Sequence, residues 1–151
     1  MEETDKKIIN LLLKDGRVKY REIAKKLSIS TSTAFKKLNR LFREGYVLRV
    51  APDLSEKATG LSYEAVIALL VESGHLEEVE KRIAHLENVN AVYDITGEWD
   101  ALIIAKFRTK EKMNDFVKNL RKIPHVIRTN TSFVLNKVKE DFVFKGFEVT
   151  P

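Results

Sequence analysis

A chain of 151 residues with 44% apolar content has room for one domain or two small ones. It lacks cysteine, which excludes disulfides, iron–sulfur clusters and thiolate metal sites, and no apolar run approaches the ~18 residues of a membrane span. The net charge of +5 is uneven: residues 1–60 hold 14 Lys+Arg against 8 Asp+Glu, residues 61–151 hold 13 against 14, so a polyanion partner is expected for the N-terminal part alone.

In chain order, residues 4–15 read as a helix with Thr4 as its cap. Ile8, Ile9, Leu11, Leu12 and Leu13 fill its apolar side, and Asp15-Gly16 ends it. Residues 20–44 read as two helices joined by the turn Ser28-Ile29-Ser30. Ile23, Ala24 and Leu27 form the apolar side of the first, and Ser30 caps the second. In that second helix Ala34, Leu38 and Leu41 recur at i, i+4, i+7 with Phe35 and Phe42 beside them, a stripe that faces a core. The other face carries Thr31, Ser32, Thr33, Lys36, Lys37, Asn39, Arg40 and Arg43. Small hydroxyl residues on the first turn followed by cations suit a DNA major groove: the first turn meets base edges and the cations hold phosphates. The candidate DNA contacts are Thr31, Ser32, Thr33, Lys36, Lys37, Arg40 and Arg43. Gly45 stops the helix, and Tyr46–Val50 reads as a short strand turned by Pro52-Asp53, completing a winged helix-turn-helix over residues 1–50.

Residues 51–61 form a polar linker. Beyond it, residues 63–71 read as a buried strand, 75–86 as a helix, 89–96 and 101–107 as strands joined by the turn Gly97-Glu98-Trp99-Asp100, 110–122 as a helix, and 126–138 as a last strand. The order β-α-β-β-α-β over residues 62–140 predicts a ferredoxin-like antiparallel sheet with both helices on one face, and the chain as a whole is α+β. The first strand is apolar at both parities, so the uncovered sheet face is expected to be buried in a homodimer. RNA-recognition modules share this order, but the strand Ala101–Phe107 offers one aromatic and no stacking pair. The tail, residues 141–151, is aromatic and is expected to pack on a neighbouring subunit.

His75, His85 and His125 lie far apart without ligand spacing, so each reads as a helix-end or surface residue and no metal is expected. No Ser/His/Asp set, phosphate loop or telling carboxylate pair is present, so neither catalysis nor a cofactor is expected. The N-terminus shows no secretory pattern, and a cytoplasmic protein is expected. Glutamine is absent while Lys and Glu abound, which leans toward a thermophile.

Several short segments, in order and at matching spacing, resemble the Lrp/AsnC, or feast/famine, family of prokaryotic transcription regulators. They are Asp5-Lys6-Lys7-Ile8-Ile9, Asp15-Gly16-Arg17, Glu22-Ile23-Ala24, Leu41 with Gly45, Thr96-Gly97-Glu98-Trp99-Asp100, and Arg128-Thr129-Asn130-Thr131. The resemblance implies dimers assembling into larger discs such as octamers, and an effector, an amino acid or similar small molecule, bound where dimers meet. Carried over, the effector residues are Gly97, Glu98, Trp99, Asp100, Thr129 and Thr131. Gly97 lets backbone approach a ligand, Asp100 suits an α-ammonium with Glu98 as a second candidate, and the two threonines share a strand face. Trp99 also fits a subunit contact. Two departures stand out: Ser28 where glycine is usual, and Ala34 with Lys37 where a Val-x-x-Arg pattern is common, which exchanges bidentate guanine reading for a point charge. An effector-free architectural DNA-binding protein, and a tetrapyrrole decarboxylase-like enzyme, are the alternative functions.

Overall fold

The computed structural model describes residues 1–140, which divide into two units, one built on Met1–Asp53 and one on Leu54–Val138, each with its own apolar core. Among the described residues no helix is long and apolar enough to cross a membrane. The expected packing of the aromatic tail falls outside the described residues.

The first unit is three helices: α1 (Glu3–Lys14), α2 (Tyr20–Leu27) and α3 (Thr31–Arg43). The cap of α1 is Glu2, two residues ahead of the expected Thr4; the Asp5 carboxylate reaches back to accept the Glu2 N–H at 2.8 Å. Between α2 and α3 the backbone turns at Ser28, whose φ of 53° and ψ of 41° are left-handed, so serine bears here the cost that glycine avoids. Ser30 then caps α3, its Oγ accepting the Thr33 N–H at 3.0 Å. Ile8, Val18, Ile23, Ala24, Ala34 and Leu41 make the core, and Leu38 packs against it. Phe35 and Phe42, expected beside the core stripe, lie largely outside it; Phe35 instead meets Tyr20 edge-on. The wing strand expected at Tyr46–Val50 is not formed. A lone segment needs a neighbour to make a ladder, and among the described residues none pairs with it; Leu48 is 88% exposed.

The second unit opens with a one-turn helix, α4 (Glu56–Thr59), inside the stretch read as linker. Then come β1 (Tyr63–Val71), α5 (Leu76–Ala84), β2 (Val89–Asp94), β3 (Ala101–Phe107), α6 (Lys110–Leu120) and β4 (Val126–Phe133). The strands order β2-β3-β1-β4, all antiparallel, the arrangement expected from the β-α-β-β-α-β reading. Strand β4 stops at Phe133 instead of running to 138, because its partner β1 begins at Tyr63 and Phe133 already stands opposite Ala65.

Alternation sorts the sheet residues. Ala65, Ile67, Leu69, Ala101, Ile103, Ala105 and Phe107 are fully buried on one face, under Val79, Ile83, Met113 and Leu120 of the helices. Val66 and Ala68 of β1, opposite Ile104 and Leu102 of β3, lie on the other face with Ala91 and Tyr93 of β2. That face is apolar and carries no helix of its own unit.

The Asp5 side chain is completely buried and is met by Lys37 and Arg40 of α3. Burial pushes its carboxyl up, but the Glu2 N–H and the two cations outweigh that, and the net shift is downward; hydrogen bonding to Lys37 likewise lowers Glu2. Both acids therefore titrate lower when folded. Their stabilisation is complete above the ordinary carboxylate range and is lost as pH falls through the lowered folded values. Asp5→Ala is expected to destabilise the first unit by about 2–4 kcal/mol. Amide exchange in α1 and α3 will accelerate in the variant at neutral pH, and the gap from wild type will narrow below about pH 4.

Candidate functional site

Two constellations of side chains stand apart from the packing of the cores. The first is α3. Its hydroxyl residues form a local network: Ser30 Oγ lies 2.9 Å from Ser32 Oγ and 2.7 Å from Thr33 Oγ1, which fixes the start of the helix while leaving Thr31 and Ser32 exposed. Lys36, Asn39 and Arg43 are exposed along the same open side. Lys37 and Arg40 are not on it. Lys37 Nζ lies 3.3 Å from Asp5 Oδ1 and also binds Glu2; Arg40 Nη2 pairs with Asp5 Oδ2, and Arg40 Nη1 lies 3.4 Å from Glu2 Oε1. Hydrogen bonding to Glu2 raises the Lys37 ammonium above its usual range, with Asp5 adding to it. Of the seven residues expected to meet DNA, four are exposed, Thr33 is half-buried in the cap network, and two are held by the start of α1. The sequence carries a trace of this, since Glu2 and Asp5 are spaced i, i+3, as are Lys37 and Arg40.

The second constellation lies at one end of the sheet, where β1 and β2 end and β3 and β4 begin. Gly97 adopts a φ of 122°, open to glycine and strained for other residues. Asp100, expected to meet an ammonium, is committed to the sheet: its Oδ2 accepts the Val71 N–H at 2.8 Å, its N–H donates to Leu69 O, and its carbonyl accepts from Ile95 N–H. Glu98 and Trp99 are met instead by Arg128, whose Nη2 lies 2.6 Å from Glu98 Oε1 and whose guanidinium carbon stands 4.6 Å from the Trp99 ring centre. Thr129 is buried, its Oγ1 accepting from Arg121 Nε at 3.2 Å; Thr131 stands two pairs further along β4, opposite Ile67. Arg121, Val126, Ile127, Arg128 and Thr129 line a cleft of ≈ 280 Å³.

Thus the turn and the last strand come together through Arg128, with Thr129 in the cleft wall and Thr131 on the helix-covered face beyond it. Sequence reasoning gave no role to Arg128 or Arg121. Arg128 sat in the Arg-Thr-Asn-Thr segment, and its place next to the two threonines was the available signal. The histidines also need correction: His75 and His125, read as distant, stack with ring centres 3.5 Å apart, while His85 stays exposed at the end of α5.

Residues 64–144 match the Lrp/AsnC ligand binding domain, and residues 1–47 match a winged helix-turn-helix DNA-binding domain. The chain belongs to the Lrp/AsnC family. An uncharacterized HTH-type transcriptional regulator of Pyrococcus abyssi is 40% identical over 142 residues, 94% of this chain and 97% of that protein. Among solved Lrp/AsnC-like structures, a transcriptional regulator from Neisseria meningitidis in complex with L-Met is 26% identical, with a TM-score of 0.81 over 95% of each chain. AsnC of Escherichia coli shares the fold, with a TM-score of 0.82 at 21% identity over 93% of this chain and 96% of that one. This Lrp/AsnC chain is a transcriptional regulator with a helix-turn-helix DNA-binding unit and a ligand-binding unit.

The Asp100 contacts separate two substitutions. Asp100→Asn keeps an acceptor for the Val71 N–H and is expected to melt near wild type, whereas Asp100→Ala leaves that amide unpaired and loses about 1–2 kcal/mol in denaturant unfolding followed by Trp99 fluorescence. Equal stability of the two variants would remove Asp100 from its role at the end of β1.

Proposed function

We propose that the chain, as a homo-oligomer, binds duplex DNA with the open side of α3 and that an amino acid or related metabolite at the β1–β4 end of the sheet adjusts its assembly or DNA affinity. The observation that carries the DNA half is the division of the α3 cations. Thr31, Ser32 and Thr33 lead a surface with Lys36 and Arg43 exposed for phosphates, while Lys37 and Arg40 brace α3 against α1.

For the effector, Arg128 and Glu98 neutralise each other in the free protein. An amino acid carries the complementary pair, with its carboxylate suited to Arg128 and its ammonium to Glu98. The solved Neisseria meningitidis relative with L-Met supports the class of ligand. Gly97 gives room at the turn, Trp99 forms a wall, and Thr129 lines the cleft from β4. Asp100 holds the turn in place. The apolar sheet face of Val66, Ala68, Leu102 and Ile104 carries no helix, and a second copy of the same face supplies a cover; disc-like assemblies such as octamers would be built from that dimer.

The test is binding to a DNA fragment from upstream of the chain's own gene, titrated in salt, with and without a pool of the twenty amino acids. Each lost phosphate contact lowers the log–log salt slope by about 0.9, so Lys36→Ala with Arg43→Ala is expected to reduce it by nearly two and weaken binding at least tenfold. An unchanged slope would remove that face from the interface. Glu98→Gln with Arg128→Ala is expected to abolish the shift produced by the pool while leaving effector-free affinity intact; if the wild type ignores the pool, the architectural reading takes its place. Leu102→Lys is expected to lower the sedimentation mass to that of a monomer, and an unaltered mass would overturn the sheet-to-sheet dimer.

A further inference from the structure

The loop between β1 and α5 and the residue just before β4 bring together Glu72, His75 and His125, a cluster for which neither DNA nor effector binding has a use. The backbone itself holds the three in place. The Glu72 N–H donates to His125 O at 2.9 Å and the His75 N–H donates to Glu72 O at 3.1 Å, while His125 sits in a left-handed conformation at φ 70°, uncommon for a residue with a Cβ. The side chains converge as well. His125 Nδ1 lies 2.8 Å from Glu72 Oε2, and the two imidazoles are parallel within 4° at 3.5 Å. One ligand atom from each of the three lies within 4.8 Å of the others, and both rings are half-buried.

We propose that Glu72, His75 and His125 form a binding site for a divalent transition metal of the zinc type. Two imidazoles and one carboxylate are the donor set of three-ligand zinc sites, which keep a fourth position for water or another ligand. The cysteine-free chain offers no thiolates to compete for the metal, and imidazole selects transition metals over magnesium or calcium. With metal–ligand bonds of about 2.1 Å, tetrahedral donors stand about 3.4 Å apart, so the trio closes by roughly an ångström and the rings splay from their stack. The open side of the cluster, where Glu72 is exposed, allows that movement. In the metal-free state the Glu72–His125 bond keeps the ligands assembled. Glu78, 3.6 Å from His75 Nδ1, is positioned to orient that ring. The site follows directly on Val71, the residue whose N–H Asp100 holds, so a bound metal would stiffen the same end of the sheet.

The experiment uses the full chain without a histidine tag, stripped with chelator, and titrated with ZnCl2 against a chromophoric chelator. One equivalent is expected to bind per chain at micromolar or lower concentration, and CoCl2 is expected to give the intense visible bands of a four-coordinate site. His75→Ala is expected to weaken binding at least a hundredfold. His125→Asn, which tolerates the left-handed backbone, should do the same, and His85→Ala should change nothing. Thermal unfolding of the metal-free variants checks that each is folded. Absence of stoichiometric binding, or binding that survives in folded His75→Ala and His125→Asn, would overturn the assignment. Because the readout is metal occupancy, a failure here leaves the DNA and effector readings standing, and theirs leaves this one.

Discussion

A carboxylate with no access to water cannot stand alone, and the DNA-binding unit is arranged around that constraint. Asp5 lies at the first turn of α1, where its oxygen satisfies the Glu2 N–H, and the remaining charge must be met by cations. Lys37 and Arg40 of α3 meet it. That pairing fixes the rotation of α3 about its own axis, and hence which of its residues point outward. The helix that reads as uniformly basic in one dimension is divided in three, with an inner pair that is structural and an outer set that remains available.

The ligand-binding unit follows a different logic. Among the described residues its two longer helices, α5 and α6, both cover one face of the sheet, and the opposite face carries Val66, Ala68, Leu102 and Ile104. The residues of the proposed effector site are gathered at neither face but at one end, where four strand termini meet. Arg128 and Glu98 occupy each other there, and Trp99 lies beneath the guanidinium. A site of this kind is already charge-balanced before anything binds, so a ligand must replace a contact and not merely add one.

Most of the fold was legible from periodicity. The strands at 63–71 and 101–107 were bounded to the residue, because both are continuous apolar runs closed by polar turns, and the left-handed cost at Ser28 was visible as a missing glycine. What failed was tertiary. Tyr46–Val50 has strand composition but no ladder partner among the described residues, and the end of β4 was set by the length of β1 and not by its own residues. The face of α3 was legible from its 3.6-residue period, but the removal of Lys37 and Arg40 from it depends on how α1 lies across α3, of which the matched i, i+3 spacings of Glu2–Asp5 and Lys37–Arg40 are only a trace. His75 and His125, fifty residues apart in sequence, are likewise joined by the pairing of β1 with β4. Asp100 stood out in the sequence as a candidate for an ammonium, whereas the backbone amide it holds could not be named without the register of β1.

The contacts of Asp100 have one more consequence. The amides of Val71, Ile95 and Asp100 and the carbonyl of Leu69 are tied through this single residue, and the Glu72 amide is tied to His125 alongside. These amides come from the end of β1 and from the turn between β2 and β3, with the start of β4 as acceptor, so they open together or not at all. In a peptide map of deuterium uptake, occupation of this end of the sheet therefore registers as protection in segments remote in sequence, and what looks like a distributed response is the closing of one cooperative unit.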